Sequence, residues 1–246
     1  MKNNRYSLRA LSALMGYPDT ELRSHLPELL DAIDKEAVIP AARREELRAF
    51  ATELTRLDPM DVEARYVETF DRGRATSLHM FEHIHGDSRE RGPAMVDLVQ
   101  TYEKSGLMMA PEELPDHLCV VLEFASTQPP QLATEFLGEM AHILTAIFSA
   151  LVQRASPYAV PVAAMLELCG QRVQAVAIVA DEAMDDVWQE PEAFDGCSTK
   201  GQSKPGPAQT IHVVRKTAVP LHPASVTAAS VFAKGQTAQE AQGARI

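Results

Sequence analysis

The densest group of side chains able to do chemistry is the run Ser77-Leu78-His79-Met80-Phe81-Glu82-His83-Ile84-His85-Gly86-Asp87. Within it, His79-x-x-Glu82-His83 has the spacing of the inverted zinc-peptidase motif. On a helix, His79 and His83 at i and i+4 share a face, so two imidazoles could hold Zn²⁺ while Glu82 activates a bound water. That is one reading, a zinc-dependent hydrolase. It needs a third protein ligand, and Glu123, Glu139 and Glu167 qualify only by being acidic. Met80 and Phe81 inside the motif sit where core packing would put them. Neutral histidines at a loop–helix junction also commonly satisfy backbone carbonyls. Two further readings of the cluster therefore stand beside catalysis: His79, His83 and His85 pack a loop, or they make binding respond to pH near neutrality.

Other chemical motifs fail more cleanly. Gly196-x4-Gly201-Gln202-Ser203 resembles a phosphate-binding loop, but Gln202 replaces the lysine and no strand precedes it. There is no GxSxG elbow and no GxGxxG after a strand. Cys119, Cys169 and Cys197 are too scattered for a disulfide framework or a metal knuckle. The residues read as those of a binding protein, with no catalysis and no cofactor of its own. Two stretches put charge beside apolar surface: Arg65-Tyr66-x3-Phe70-Asp71, and Pro111 to Leu118. In the second, Pro115-Asp116-His117 opens a helix whose free N–H groups favour an anion or a carboxylate cap. A second reading makes Asp116 a simple cap and leaves His117 exposed.

These residues need a scaffold, and the periodicity supplies a helical one. Leucines 8, 11 and 14 line one face of a first helix over Ser7 to Met15, stopped by Gly16-Tyr17-Pro18. Asp19 caps a second, with Pro27 kinking it or starting a new turn. Pro40 opens a third, and Asp58-Pro59 is an N-cap followed by proline at the first helical position of a fourth. A fifth starts at Asp87 or Ser88 and ends at Gly106, a sixth runs from Leu114 to Ser126, a seventh from Pro130 to Arg154, and a long eighth from Ser156 towards Met184. No alternating run or hairpin signal suggests strands. The expectation is an all-α domain of about eight helices over residues 1–185, an acidic connector over 186–195, and a tail over 196–246.

With 34 acidic residues against 23 Lys and Arg, the chain carries −11. Residues 196–246 hold six basic residues and one acid, so the first 195 hold 17 basic against 33 acidic. The tail is also rich in Gly, Pro, Ser and Thr, and cannot bury enough apolar surface to order itself. An acidic body argues against nucleic acid as a partner and suits a basic guest. No run reaches the ~18 apolar residues that span a bilayer, and the chain is expected to be cytoplasmic.

The segment Tyr66-Val67-Glu68-Thr69-Phe70-Asp71, leading to Ser77 through Gly92, resembles the signature of the NarJ-type nitrate reductase molybdenum cofactor assembly chaperones, within the TorD-like redox-enzyme maturation family. Ala94-Met95-Val96-Asp97-Leu98, Tyr102-x3-Gly106-Leu107, Glu113-Leu114-Pro115-Asp116-His117-Leu118 and Gly16-Tyr17-Pro18 match as well, and the likeness covers roughly residues 8–195. The resemblance implies a single TorD-like all-α domain without catalysis. It implies a chaperone for nitrate reductase assembly that binds the N-terminal segment of the catalytic subunit in the cytoplasm. It holds the apoenzyme open for molybdenum cofactor and iron–sulfur insertion and delays docking to the membrane subunit, with cofactor-biosynthesis proteins as further partners. A sibling chaperone serving another molybdoenzyme is the near alternative. A guest helix wants an apolar floor, and the net charge of the body gives it an acidic rim. Tyr66, Phe70 and Phe124 are the expected floor, with Glu82, Asp116 and His117 at the rim and Arg65 and His79 beside them.

Overall fold

The computed structural model describes residues 3–86, 88–110 and 113–177. The chain divides into two units, Met1–Glu190 and Pro191–Ile246, and everything described lies in the first. The acidic connector and the tail lie outside the described residues. Among the described residues there are ten α-helices, a 3-10 turn at Arg74–Thr76 and no strand.

Helix α1 (Arg5–Leu14) buries Leu8, Leu11 and Leu14 and packs mainly on α7 (Leu118–Thr127) and α2 (Thr20–Glu36). Its free N-terminal amides find an acid from the end of α2. Glu36 accepts from Tyr6 N at 2.9 Å and from Ser7 N at 2.8 Å, a carboxylate at the positive end of a helix dipole. Asp19 caps α2 through Leu22 N at 2.7 Å. Pro27 lies inside α2 without ending it. Helix α3 spans Ala41–Arg56, and α4 spans Pro59–Phe70 with Asp58 accepting from Met60 N at 2.9 Å. These starts follow the expected caps.

Four later elements differ from the sequence reading, one of them the helix expected from Leu114, which begins as α7 only at Leu118, after the residues 115–117 that lead into it. The fifth helix does not start at Ser88, and Asp87 lies outside the described residues. A one-turn α5 (Glu82–His85) closes at Gly86, and α6 (Arg91–Lys104) begins at Arg91. Pro93 explains the later start, because proline is tolerated only in the first turn, where no N–H is needed. The single helix expected over 130–154 is two, α8 (Pro130–Glu139) and α9 (Ala141–Gln153), bent by 65° at Met140. Gly138 weakens the helix just before the bend. The long last helix is short: α10 (Ala159–Leu168) ends in a Schellman turn, with Gly170 at φ 72° and Gln171 N bonded to Leu166 O at 2.9 Å.

The main core joins the leucines of α1 to Leu47 and Phe50 of α3, Val62, Tyr66 and Phe70 of α4, and the inner faces of α7, α9 and α10. A smaller cluster forms apart from it, around Leu98 and Tyr102 of α6 and Phe124 of α7. No single described helix is long and apolar enough to cross a membrane.

Candidate functional site

Two loops of the quoted motifs meet at an isolated antiparallel bridge between His79 and His117. Met80 N donates to Asp116 O at 2.9 Å and Leu118 N to Leu78 O at 2.8 Å. The bridge staples residues 78–80 to the start of α7. It places the His79 and His117 rings edge to face, 5.1 Å apart.

Asp116 sits beneath this bridge with 0 % exposure. Its Oδ2 accepts from Phe81 N at 3.1 Å and lies 3.5 Å from Arg91 Nη2. Its Oδ1 lies 3.5 Å from His79 Nδ1, an electrostatic contact longer than a formed hydrogen bond, and among the described residues neither of those two atoms has another partner. Arg91 also reaches Glu82 Oε1 at 3.3 Å, and Ser77 Oγ donates to the other oxygen of Glu82. Burial alone would raise the Asp116 carboxyl, but His79, the Phe81 amide and Arg91 together hold it below its ordinary value. Asp116 in turn raises His79 against the opposing effect of burial. His117 is lowered, by burial first and then by the neighbouring His79 charge. The rim reading thus resolves differently: Asp116 is neither a helix cap nor a surface acid, but the buried centre of a network.

The same geometry removes the zinc site. Helix α5 begins only at Glu82, so His79 is not one turn below His83 on a common helix. His83 Nε2 lies 2.9 Å from Ser77 O, and Glu82 is held by Ser77 and Arg91. Among the described residues, no three His, Cys, Asp or Glu side chains are arranged to hold a metal.

The three expected floor aromatics do not share a surface. Tyr66 and Phe70 lie in the main core at 7 % and 6 % exposure, with ring centroids 4.8 Å apart, and Tyr66 donates to Met15 O at 2.9 Å. Spacing at i and i+4 on an amphipathic helix put both on the inward face. Phe124 belongs instead to the smaller cluster, against Tyr102 at 4.5 Å and Phe136 at 4.9 Å. Arg65 is on the surface, 3.6 Å from Glu53.

Phe124 and Tyr102 back an open groove of about 250 Å³ whose apolar lining includes Leu107, Met108, Met109 and Val120. Met108 is 92 % exposed. Arg5 and Arg9 of α1, with Glu113 and Glu123, supply the charge. The rim is of mixed sign, where the net charge of the body suggested an acidic one. Tyr102 OH donates to Pro115 O at 2.8 Å, so the back wall of the groove is fixed to the residue beside Asp116.

Residues 19–164 match the nitrate reductase delta subunit family. The chain belongs to that family. The nitrate reductase molybdenum cofactor assembly chaperone NarJ of Escherichia coli K12 is 42 % identical over 197 residues, which is 79 % of this chain and 82 % of that protein. The nitrate reductase-like protein NarX of Mycobacterium tuberculosis H37Rv is 40 % identical over 155 residues, 63 % of this chain and 23 % of its own length. A crystal structure from Archaeoglobus fulgidus, described as that of a redox enzyme maturation protein, superposes with a TM-score of 0.48 at 21 % identity, covering 68 % of this chain and 94 % of that one. The relative matched over most of its length is named an assembly chaperone and not an enzyme, in line with a non-catalytic reading.

The family match includes the bridge, the Asp116 network and the wall formed by Tyr102 and Phe124, while Arg5 and Arg9 lie ahead of it. Sequence reasoning gave no role to Arg91, Ser77, Tyr102, Met108 or Met109. For Arg91 a signal existed, since a carboxylate buried near a histidine needs a fixed cation, but nothing local marked Asp116 as buried.

Proposed function

We propose that the chain is an assembly chaperone that binds the N-terminal segment of a nitrate reductase catalytic subunit. In the cytoplasm it holds the apoenzyme competent for molybdenum cofactor and iron–sulfur insertion, and delays docking to the membrane subunit until insertion is complete. One observation carries the reading: a methionine- and aromatic-lined groove stays open to solvent beside a loop junction that is fixed by the buried Asp116 network. Methionines adapt to different apolar faces, which suits a guest helix laid into a groove. The family and the name of its Escherichia coli relative support the choice of guest. In this reading Phe124 is floor. His79, Glu82, Asp116 and His117 hold the junction that shapes the groove, while Tyr66 and Phe70 anchor α4 in the main core and Arg65 lies on its surface.

Calorimetry of the full chain with a synthetic peptide of the first ~30 residues of the catalytic subunit tests the reading, a length that exceeds what an isolated marginal helix needs. Saturable binding with a negative heat-capacity change is expected, weakened by ~2 kcal/mol or more in Phe124→Ala if that ring is an anchor. A peptide that gives no binding to the unaltered protein overturns it.

A further inference from the structure

The groove carries a charge pattern that the acidity of the body does not explain. Arg5 and Arg9 lie one turn apart on the exposed side of α1 and both line the groove. Among the described residues neither forms an ion pair, as with Arg23, Arg56, Arg89 and Arg172, but of these only Arg5 and Arg9 line the groove; Arg43, Arg44, Arg48, Arg65, Arg72 and Arg91 each meet a carboxylate. The Arg5 guanidinium rests 5.9 Å from its neighbouring Tyr6 ring. Glu113 and Glu123 line the same groove and form no ion pair among the described residues either. Two guanidinium groups beside an apolar floor, in a body with nearly twice as many acids as bases, are placed for an acid that comes from outside.

We propose that Arg5 and Arg9 are specificity-determining residues that receive a carboxylate of the guest segment. The inference rests on the peptide-binding reading and commits to one occupant, the N-terminal segment of the catalytic subunit bound as an amphipathic helix. Its apolar face meets Phe124, Met108 and Met109, and an Asp or Glu within a turn of its apolar anchors meets the two guanidinium forks. Arginine pairs with carboxylate in a fixed planar geometry that lysine does not reproduce. Glu113 and Glu123 take a basic residue of the same helix, so the two charges orient it. A generally basic segment without the acid would still be drawn to the acidic body, and would then be repelled at α1. The groove therefore selects by repulsion as well as by attraction.

Fluorescence anisotropy with the full chain separates this from the parent reading. The peptide of the first ~30 residues of the catalytic subunit is compared with a version whose Asp and Glu are changed to Asn and Gln. Binding to the unaltered protein should weaken about tenfold in the amide version at low salt, and the natural peptide should lose as much against the double variant Arg5→Gln, Arg9→Gln. Combining the double variant with the amide peptide should cost little more than either change alone, the non-additivity of a direct contact. Circular dichroism checks that the double variant is folded, and both sites are exposed. If the double variant binds the natural peptide as tightly as the unaltered protein does, or if the two losses simply add, the assignment of Arg5 and Arg9 falls while peptide binding stands. If the natural peptide does not bind the unaltered protein at all, the parent reading falls.

Discussion

Arg91, at the start of α6, lies 3.5 Å from the fully buried carboxylate of Asp116, 25 residues later in the chain. That contact, with the Phe81 amide on the same oxygen, locks together the two loops that meet at the His79–His117 bridge. Removing the acid leaves a buried N–H, a partly buried guanidinium and a histidine facing one another. Asp116→Ala should therefore cost about 2–4 kcal/mol of unfolding free energy, in the range for breaking a buried charge network by deleting one member. Asp116→Asn, which keeps an acceptor for Phe81, should cost less. Urea unfolding of both variants measures this, and an alanine variant within ~0.5 kcal/mol of the parent would contradict it.

The two histidines of the bridge should pull stability in opposite directions as pH changes. His79 is raised above the ordinary 6.5, first by Asp116. Its contribution is fully present below 6.5 and is lost as pH rises through the higher folded value. His117 is lowered from the same 6.5, first by burial, so it is stable as the neutral ring. Its contribution is full above 6.5 and falls as the pH drops through its lower folded value. Arg91 and Glu82 also face His79, and Asp116 faces both rings. His79→Gln should leave a profile that loses stability towards acid, and His117→Gln one that gains it. Unfolding free energies from about pH 5 to 8 read the slopes directly. Two parallel profiles would refute the assignment.

The local signals proved legible and the long-range ones did not. Asp19 before α2 and Asp58-Pro59 before α4 act through neighbours two or three residues away, and the caps form as read. The bend at Met140 is hidden because apolar residues continue at helical spacing through Gly138, and a lone glycine is tolerated in a helix. The end of α10 had a local signal in Gly170, but Val173 and Val176 beyond it prolong the apolar pattern. At the candidate site, the two segments that meet at the bridge were visible as motifs, yet their contacts were not. A carboxylate just before a helix looks like a cap, and the cation that makes Asp116 a buried centre is 25 residues away. Phe124 was separable from Tyr66 and Phe70 only once the core was seen to form two clusters.

Two buried tyrosines of the main core should respond differently to loss of their hydroxyls. Tyr158 packs edge to face with Phe50 at 5.1 Å and Phe70 at 5.0 Å, and its buried OH has no hydrogen-bond partner among the described residues. The Tyr66 OH, at comparable burial, donates to Met15 O at 2.9 Å. Tyr158→Phe removes a hydroxyl that burial has stripped of solvent, and should be neutral or stabilising by up to ~1 kcal/mol. Tyr66→Phe orphans a buried carbonyl and should cost ~1–2 kcal/mol. Thermal unfolding of the pair decides it; a larger loss for Tyr158→Phe than for Tyr66→Phe would reverse the ranking.

The ends of α9 and α10 share one hydrogen-bond pattern but not one residue type. After α10, Gly170 at φ 72° lets Gln171 N reach Leu166 O at 2.9 Å. After α9, Ser156 N reaches Leu151 O at 2.9 Å in the same way, but the left-handed position is Ala155 at φ 51°. An L-residue there carries a steric cost of ~1–2 kcal/mol that glycine avoids. Glycine gives back ~0.5–1 kcal/mol through the entropy of the unfolded chain. Ala155 is exposed, so removing its methyl opens no cavity. Ala155→Gly should therefore raise the unfolding free energy by ~0.5–1 kcal/mol, and Gly170→Ala should lower it by a similar amount. Opposite shifts of the urea midpoint at unchanged slope are the expected pair. A loss of stability in Ala155→Gly would mean that the left-handed turn after α9 is not strained.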